Sequence, residues 1–250
     1  MSDNTQRFTG RAEVYERYRQ RYPNVEVLAL MKEWCGLTAD WVVADVGAGT
    51  GMLAEVFLEN GNRVIAIEPN EEMREACARL SSPLLEVVDA TAEATGLADA
   101  SVEMVAAGRA FHWFDKEKSL AEFRRVLKPG GWLALVSVGR AQDESEQLKG
   151  FGRLLVEYGM DYDYVRAGYR VHEQMEELFG EMRQGQIAGE QLLRWEEFRG
   201  QTMSLSVVPQ VGDAGYAVFQ EKLREHFDEF ASGGVLRMAT TCWVTVGRWL

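Results

Sequence analysis

Gly47, Gly49 and Gly51 stand at alternate positions just after an apolar run, WVVADV. Glycines so spaced let a chain turn sharply and let a ligand lie against its backbone. Twenty-one residues after Gly47, Glu68 ends a second apolar run, RVIAIE. A carboxylate there can accept hydrogen bonds from both hydroxyls of a nucleoside ribose; the competing reading is a solvated strand end. The spacing is GxGxG, whereas turns that cradle a pyrophosphate read GxGxxG. Such a turn fits an uncharged or cationic ligand, and a chain of net charge −12 suits a sulfonium better than a diphosphate.

Further along, the segment AFHWF (110–114) follows a fourth apolar run. His112 is either a general base with its neutral form available near pH 7 or part of a pocket wall with Trp113. Arg109 precedes it. A guanidinium about 4 Å from a sulfonium costs roughly 4 kcal/mol at an effective dielectric of 20, so Arg109 must point away or pair with an anion. Its two readings are a grip on a substrate carboxylate or nearby acid, and a salt bridge to a glutamate of the helical segment downstream. His172 and His226 lie in charged helical stretches and read as surface residues. The histidines and Cys35, Cys77 and Cys242 are isolated in sequence, which argues against a metal centre or a disulfide framework.

These residues need elements to hold them. The runs at 41–47, 63–68, 84–88, 102–107 and 132–138 read as buried parallel strands, with helical patterns at 52–60, 71–80 and 116–127 between them. Lys128-Pro129-Gly130-Gly131 stops the last helix. Strands alternating with helices imply right-handed crossovers and a parallel sheet covered on both faces. Before the sheet, 11–34 reads as helix broken at Pro23. After it, 140–200 reads as mostly helical, MSLSVV (203–208) and 240–249 as strands, and 216–230 as an amphipathic helix. The expected fold is a Rossmann-like α/β sheet of seven mostly parallel strands with a helical lid insertion. Residues 1–139 would form an N-terminal helix plus the ligand-binding half, 140–200 the lid, and 201–250 the strands and helix completing the sheet.

The acidic charge disfavours a nucleic-acid partner. It leaves the local cluster of Arg7, Arg11, Arg17, Arg19 and Arg21 among Phe8, Tyr15, Tyr18 and Tyr22 as an amphipathic helix with solvated arginines or, less in keeping with the charge, a nucleic-acid arm. No run approaches 18 apolar residues, so no membrane partner is expected. The start, MSDNTQRF, has no apolar leader. Unpaired cysteines fit a reducing compartment, and the cytoplasm is the expected location.

Taken together, VVADVGAGTG (42–51), IAIEPNEEM (65–73), DATAEATGLADASVEMV (89–105) and FRRVLKPGGWLAL (123–135) resemble the motifs of class I S-adenosylmethionine-dependent methyltransferases. With RFTGRAEVYERYRQRYP (7–23) and RWEEFRGQTMSLSVVP (194–209), the chain is also similar to a methyltransferase type 11-like subgroup, loosely akin to trans-aconitate-type small-molecule enzymes. The resemblance implies S-adenosylmethionine as cofactor and methyl transfer as the reaction, and says little about the substrate; the expected acceptor is a small molecule, oxygen preferred, carrying a carboxylate if Arg109 serves it. It implies that Gly47 and Gly49 line the methionine part and Asp45 orients the turn. Glu68 would hold the ribose, Pro69 and Met73 flank the adenine, and Thr91 and Ala92 meet its edge. Relatives often carry an acid at the place of Thr91, so Asp89 or Glu93 would replace it. Tyr15 and Arg19 would fold over the cofactor near its carboxylate. The rival readings are a non-catalytic adenosylmethionine-binding regulator and a nicotinamide-dependent oxidoreductase.

Overall fold

The computed structural model describes residues 12–141, 145–159 and 179–249; Arg7, Phe8, Arg11 and His172 lie outside them. Seven strands form one sheet: β1 (Val42–Val46), β2 (Arg63–Ile67), β3 (Leu85–Val88), β4 (Val102–Gly108), β5 (Leu127–Arg140), β6 (Glu181–Leu193) and β7 (Leu236–Arg248). Their order is β3-β2-β1-β4-β5-β7-β6. The first five run parallel, and β7 and β6 are each antiparallel to their neighbours. The sheet is Rossmann-like and mostly parallel, as expected.

Alternation along the central strands builds a core on each face. Val43, Val64, Met104, Ala106, Trp132 and Ala134 pack with residues of α2 (Asn24–Cys35) and α3 (Met52–Glu59). Ala44, Val46, Ile65, Ile67, Val105 and Leu133 face the other way, toward Phe123 and Val126 of α5 (Lys116–Val126). Continuous apolar strands are what burial on both faces requires. Cys35, Cys77 and Cys242 are all buried free thiols. Burial pushes each of their pKa values up to about 12.

A third apolar cluster caps the sheet. It joins α6 (Glu146–Tyr158), α7 (Trp195–Met203) and α8 (Tyr216–Phe230) through Leu148, Phe151, Phe198, Phe219, Leu223 and Phe227. His226 belongs to this cluster and is not a surface residue. Its ring lies 4.9 Å from that of Phe230 and 5.9 Å from that of Phe151. The spacing explains it: residue 226 lies seven positions after Phe219, on the same helical face. Burial, with the nearby Arg153 charge, lowers the His226 pKa to about 4.

Two elements differ from the sequence reading. Residues 181–193, expected as helix, form β6, an edge strand paired along its length with β7. Its polar character masks the strand, because an edge with one open side carries charge rather than an apolar pattern. Gly185 serves a close approach here: a Cβ would come within 2.7 Å of the Trp34 ring. Conversely, the alternating MSLSVV is no strand. It holds the end of α7 and a set of turns that bury Ser204, Val207 and Val208 against the cap. Among the described residues, no helix is long and apolar enough to cross a membrane.

Phe123, fully buried between α5 and the sheet, sets a test of this packing. Phe123→Ala is expected to lower the unfolding free energy by about 3–5 kcal/mol in urea denaturation; a loss of less than about 1 kcal/mol would contradict the docking of α5.

Candidate active site

The chain passes from β1 outward to β3, then returns to the other side of β1 as β4. The crevice above β1 and β4 is therefore the place where an open α/β sheet takes a ligand. In the β1–β2 register Val46 stands opposite Ile67, so Gly47 and Glu68 leave the sheet side by side. The Ile67 carbonyl accepts from the N–H groups of Gly47 (2.8 Å) and Ala48 (3.1 Å). Gly47 and Gly49 occupy the left-handed region, at φ +67° and +57°. A Cβ on Gly47 would come within 2.6 Å of that of Ala110, whereas one on Gly49 would meet nothing within 4 Å. Gly49 thus presents bare backbone to the cavity it lines.

Glu68 grips this turn from the neighbouring strand. Its Oε2 accepts from the Gly49 N–H at 2.8 Å, and its Oε1 from the Asn70 N–H at 2.9 Å. A carboxylate accepts about four hydrogen bonds, so each oxygen keeps capacity for another donor. Burial raises the Glu68 pKa, opposed by the Asn70 and Gly49 amides and the Arg74 charge. The Asn70 side chain caps α4 (Glu71–Ala78), accepting from the Met73 N–H at 3.1 Å, which fixes Met73 beside Glu68.

Asp45 is fully buried, and neither of its oxygens has a well-formed hydrogen bond among the described residues. Burial pushes its pKa up to about 7. The Ala54 N–H at the start of α3 opposes the rise and the Glu68 charge adds to it. A carboxylate in this state is incomplete without a cation or a proton.

The remaining wall comes from Tyr15 of α1 (Ala12–Tyr18), from Tyr22, and from the end of β4. Arg109 adopts φ +55°, a rare conformation for a residue with a side chain. Its guanidinium lies over the Tyr22 ring (5.0 Å to the centroid) and the Tyr15 ring (5.9 Å), and donates to the Gln20 carbonyl at 3.1 Å. Burial raises the Tyr15 pKa, but the Arg109 and Arg19 charges outweigh it and leave the phenol below its ordinary value. Glu16 ties α1 to Arg79 of α4 at 2.5 Å, and Arg21 reaches Glu55 of α3 at 2.9 Å.

Most residues singled out from the sequence converge here. Tyr15, Asp45, Gly47, Gly49, Glu68, Pro69, Met73, Thr91, Ala92 and Arg109 all line the cavity. Arg19 and His112 do not: Trp113 forms the wall where His112 is its half-buried neighbour in a short 3-10 turn. Asp89 pairs with Arg74 at 3.1 Å, whereas Glu93 stays at the cavity rim and accepts the Asp115 N–H at 2.9 Å. The sequence reading did not place Tyr22 or Met52 in the site. Tyr22 was legible only as one of several tyrosines among arginines; the bare Gly108, which makes room for its hydroxyl, was the missing signal. No group of three or more metal-ligating side chains occurs among the described residues.

Fold and site together define an α/β protein of the Rossmann-like class with a glycine-lined cavity at its strand ends. Residues 44–135 match the family model described as a methyltransferase domain. An uncharacterised methyltransferase of Mycobacterium bovis is 38% identical over 122 residues, 49% of this chain and 48% of that one; the chain spans about half the length of the curated relatives it matches. A candidate type II methyltransferase from Anaeromyxobacter dehalogenans has the same fold, with a TM-score of 0.64 at 24% identity over 92% of this chain and 98% of that one. So does phosphoethanolamine N-methyltransferase 2 of Haemonchus contortus in complex with S-adenosyl-L-methionine, with a TM-score of 0.57 at 15% identity over 99% of this chain and 60% of that one.

The raised pKa of Asp45 has a stability consequence. The folded chain holds this proton more tightly than the unfolded chain, whose carboxyl titrates near 4. The resulting stabilisation is complete below about pH 4 and is lost as pH rises through about 7, at about 1.4 kcal/mol per pH unit. Asp45→Asn removes this titration, so its stability relative to the native chain is expected to climb across that window in urea denaturation. A difference that stays flat with pH would contradict the assignment.

Proposed function

We propose that this chain is an S-adenosylmethionine-dependent methyltransferase acting on a small molecule, with oxygen as the preferred acceptor atom. The observation that carries the reading is Asp45, a fully buried carboxylate that forms no ion pair among the described residues and lines a glycine-lined cavity. A positively charged ligand is what completes it. Bound S-adenosylmethionine would supply an electrophilic methyl group on a cationic sulfur.

The chain's own residues then act mainly by placement. Glu68 uses its remaining acceptor capacity for the two ribose hydroxyls while its other contacts keep Gly49 in place. Gly47 and Gly49 line the methionine part, with Asp45 facing its positive charge. Pro69 and Met73 flank the adenine, and Thr91 and Ala92 meet its edge with Glu93 nearby. Tyr15 closes the cavity from above. The stacking of Arg109 on two tyrosine rings holds its charge in place, ready to meet an anionic acceptor. Holding nucleophile and methyl group in line is worth about 7–11 kcal/mol of barrier. A carboxylate acceptor needs no base; a hydroxyl acceptor needs one, and His112, off the cavity wall, is the side chain to test. The chain's acidity argues for a small molecule over nucleic acid.

Calorimetry tests the binding half: S-adenosylhomocysteine is expected to bind and NAD to be ignored, and the reverse would turn the reading toward a nicotinamide enzyme. Glu68→Ala is expected to weaken S-adenosylhomocysteine about 10- to 100-fold, the loss of charge-assisted hydrogen bonds. Transfer of labelled methyl to the small molecules of a cell extract tests the catalytic half; binding without transfer to any acceptor would leave a regulator. Once an acceptor is in hand, His112→Gln is expected to keep kcat/KM within about tenfold, because general-base catalysis contributes about 10²–10⁴-fold and a larger loss would make His112 the base.

A further inference from the structure

A second cavity of about 600 Å³ adjoins the first, a size suited to a metabolite. Its floor is the upper end of β5, β6 and β7, at Val138, Ile187 and Thr240, and its rim is the segment between α1 and α2 together with Gln201 of α7. Tyr22 lines both cavities and forms the partition between them. A Cβ on Gly108 would lie 2.6 Å from the Tyr22 hydroxyl, so the bare end of β4 lets this side chain stand between the two spaces.

Arg19 opens onto this groove and not onto the cavity of Glu68. Its guanidinium lies 5.1 Å from the Tyr15 ring centroid, hydrogen-bonds the Tyr15 side chain and donates weakly to Ser204 Oγ at 3.5 Å. Its Nε is buried without a hydrogen-bond partner among the described residues. Three carboxylates also line the groove, Glu26, Glu190 and Glu197, yet none forms an ion pair with Arg19 among the described residues. Glu190 pairs with Arg237 at 2.5 Å, and Glu197 accepts the Arg194 N–H at 2.8 Å. Gln191, which also lines the groove, has its Oε1 buried without a hydrogen-bond partner among the described residues. A partly buried guanidinium is costly without a counter-charge, and its planar fork matches a carboxylate.

Building on the methyl-transfer reading, we propose that this groove holds the methyl acceptor, a small carboxylate-bearing molecule, with its carboxylate on Arg19 and a hydrogen-bond donor on Gln191. The acceptor's reacting end passes Tyr22 toward the donor cavity. Arg19 is therefore a recognition residue for the acceptor, in place of the cofactor contact that the sequence resemblance implies.

The test is calorimetry on chain saturated with S-adenosylhomocysteine, titrated with acetate, malonate, succinate and citrate and with the matched amides. At least one carboxylate is expected to bind with a Kd below about 1 mM, and the amides are expected not to. Arg19→Gln is expected to weaken that carboxylate about 10- to 100-fold, and Arg19→Lys to recover part of the loss. Both variants are expected to keep native affinity for S-adenosylhomocysteine, which also shows that they fold. The proposal is overturned if no carboxylate binds, if Arg19→Gln binds as tightly as the native chain, or if S-adenosylhomocysteine affinity falls along with it. A native chain that takes a carboxylate through Arg19 yet ignores S-adenosylhomocysteine would keep the groove and remove the methyl-transfer reading, so the two fail separately.

Discussion

The hydrogen bond from the Gly49 amide to the Glu68 carboxylate is the constraint around which the site is arranged. It joins the ends of two adjacent strands into one surface. It can form because the parallel register delivers Gly47 and Glu68 from the sheet at the same level, and because two left-handed glycines turn the backbone back toward β2. With that link in place, Asn70 can cap α4 and hold Met73 at the wall, while Asp45 lies beneath the turn at the cavity floor. The part of the chain that matches the methyltransferase-domain model, residues 44–135, is built around this linked pair of strand ends and the sheet that aligns them.

The half of the molecule that follows alternation and helical spacing could be read from sequence, because both faces of β1, β2, β4 and β5 are buried and their residues are correspondingly apolar. Residues 181–193 resisted for the opposite reason: an edge strand with an open side carries Glu181, Arg183, Gln184, Gln186 and Glu190, which resemble a charged helix. Ser204, Val207 and Val208 alternate in a strand-like way, yet they are buried by turns against the cap, a tertiary arrangement no local pattern encodes. His226 was legible after all, since it shares the helical face of Phe219 and Leu223; its polarity drew attention away from its position.

The site was legible to a similar degree. Residues contributed by strand ends were found, because a glycine turn and an acid at fixed spacing constrain geometry directly. Those that depend on distant segments meeting were not. Tyr22 enters the site because Gly108, 86 positions later in the chain, leaves room for its hydroxyl. Arg19 lines the neighbouring groove, where Ser204, just past the end of α7, and Tyr15 are its neighbours. His112 and Trp113 are adjacent, and only the sense of a short 3-10 turn decides which of the two faces the cavity.

The three interior thiols carry a consequence of their own. Cys35 lies at the end of α2, Cys77 in α4 behind the glycine turn, and Cys242 on β7. With pKa values near 12 they hold almost no thiolate at neutral pH, and alkylating reagents act on the thiolate. Labelling can therefore proceed only when the surrounding packing opens. Each cysteine becomes a built-in reporter on a different part of the molecule, and its modification rate under native conditions measures how often that part comes apart.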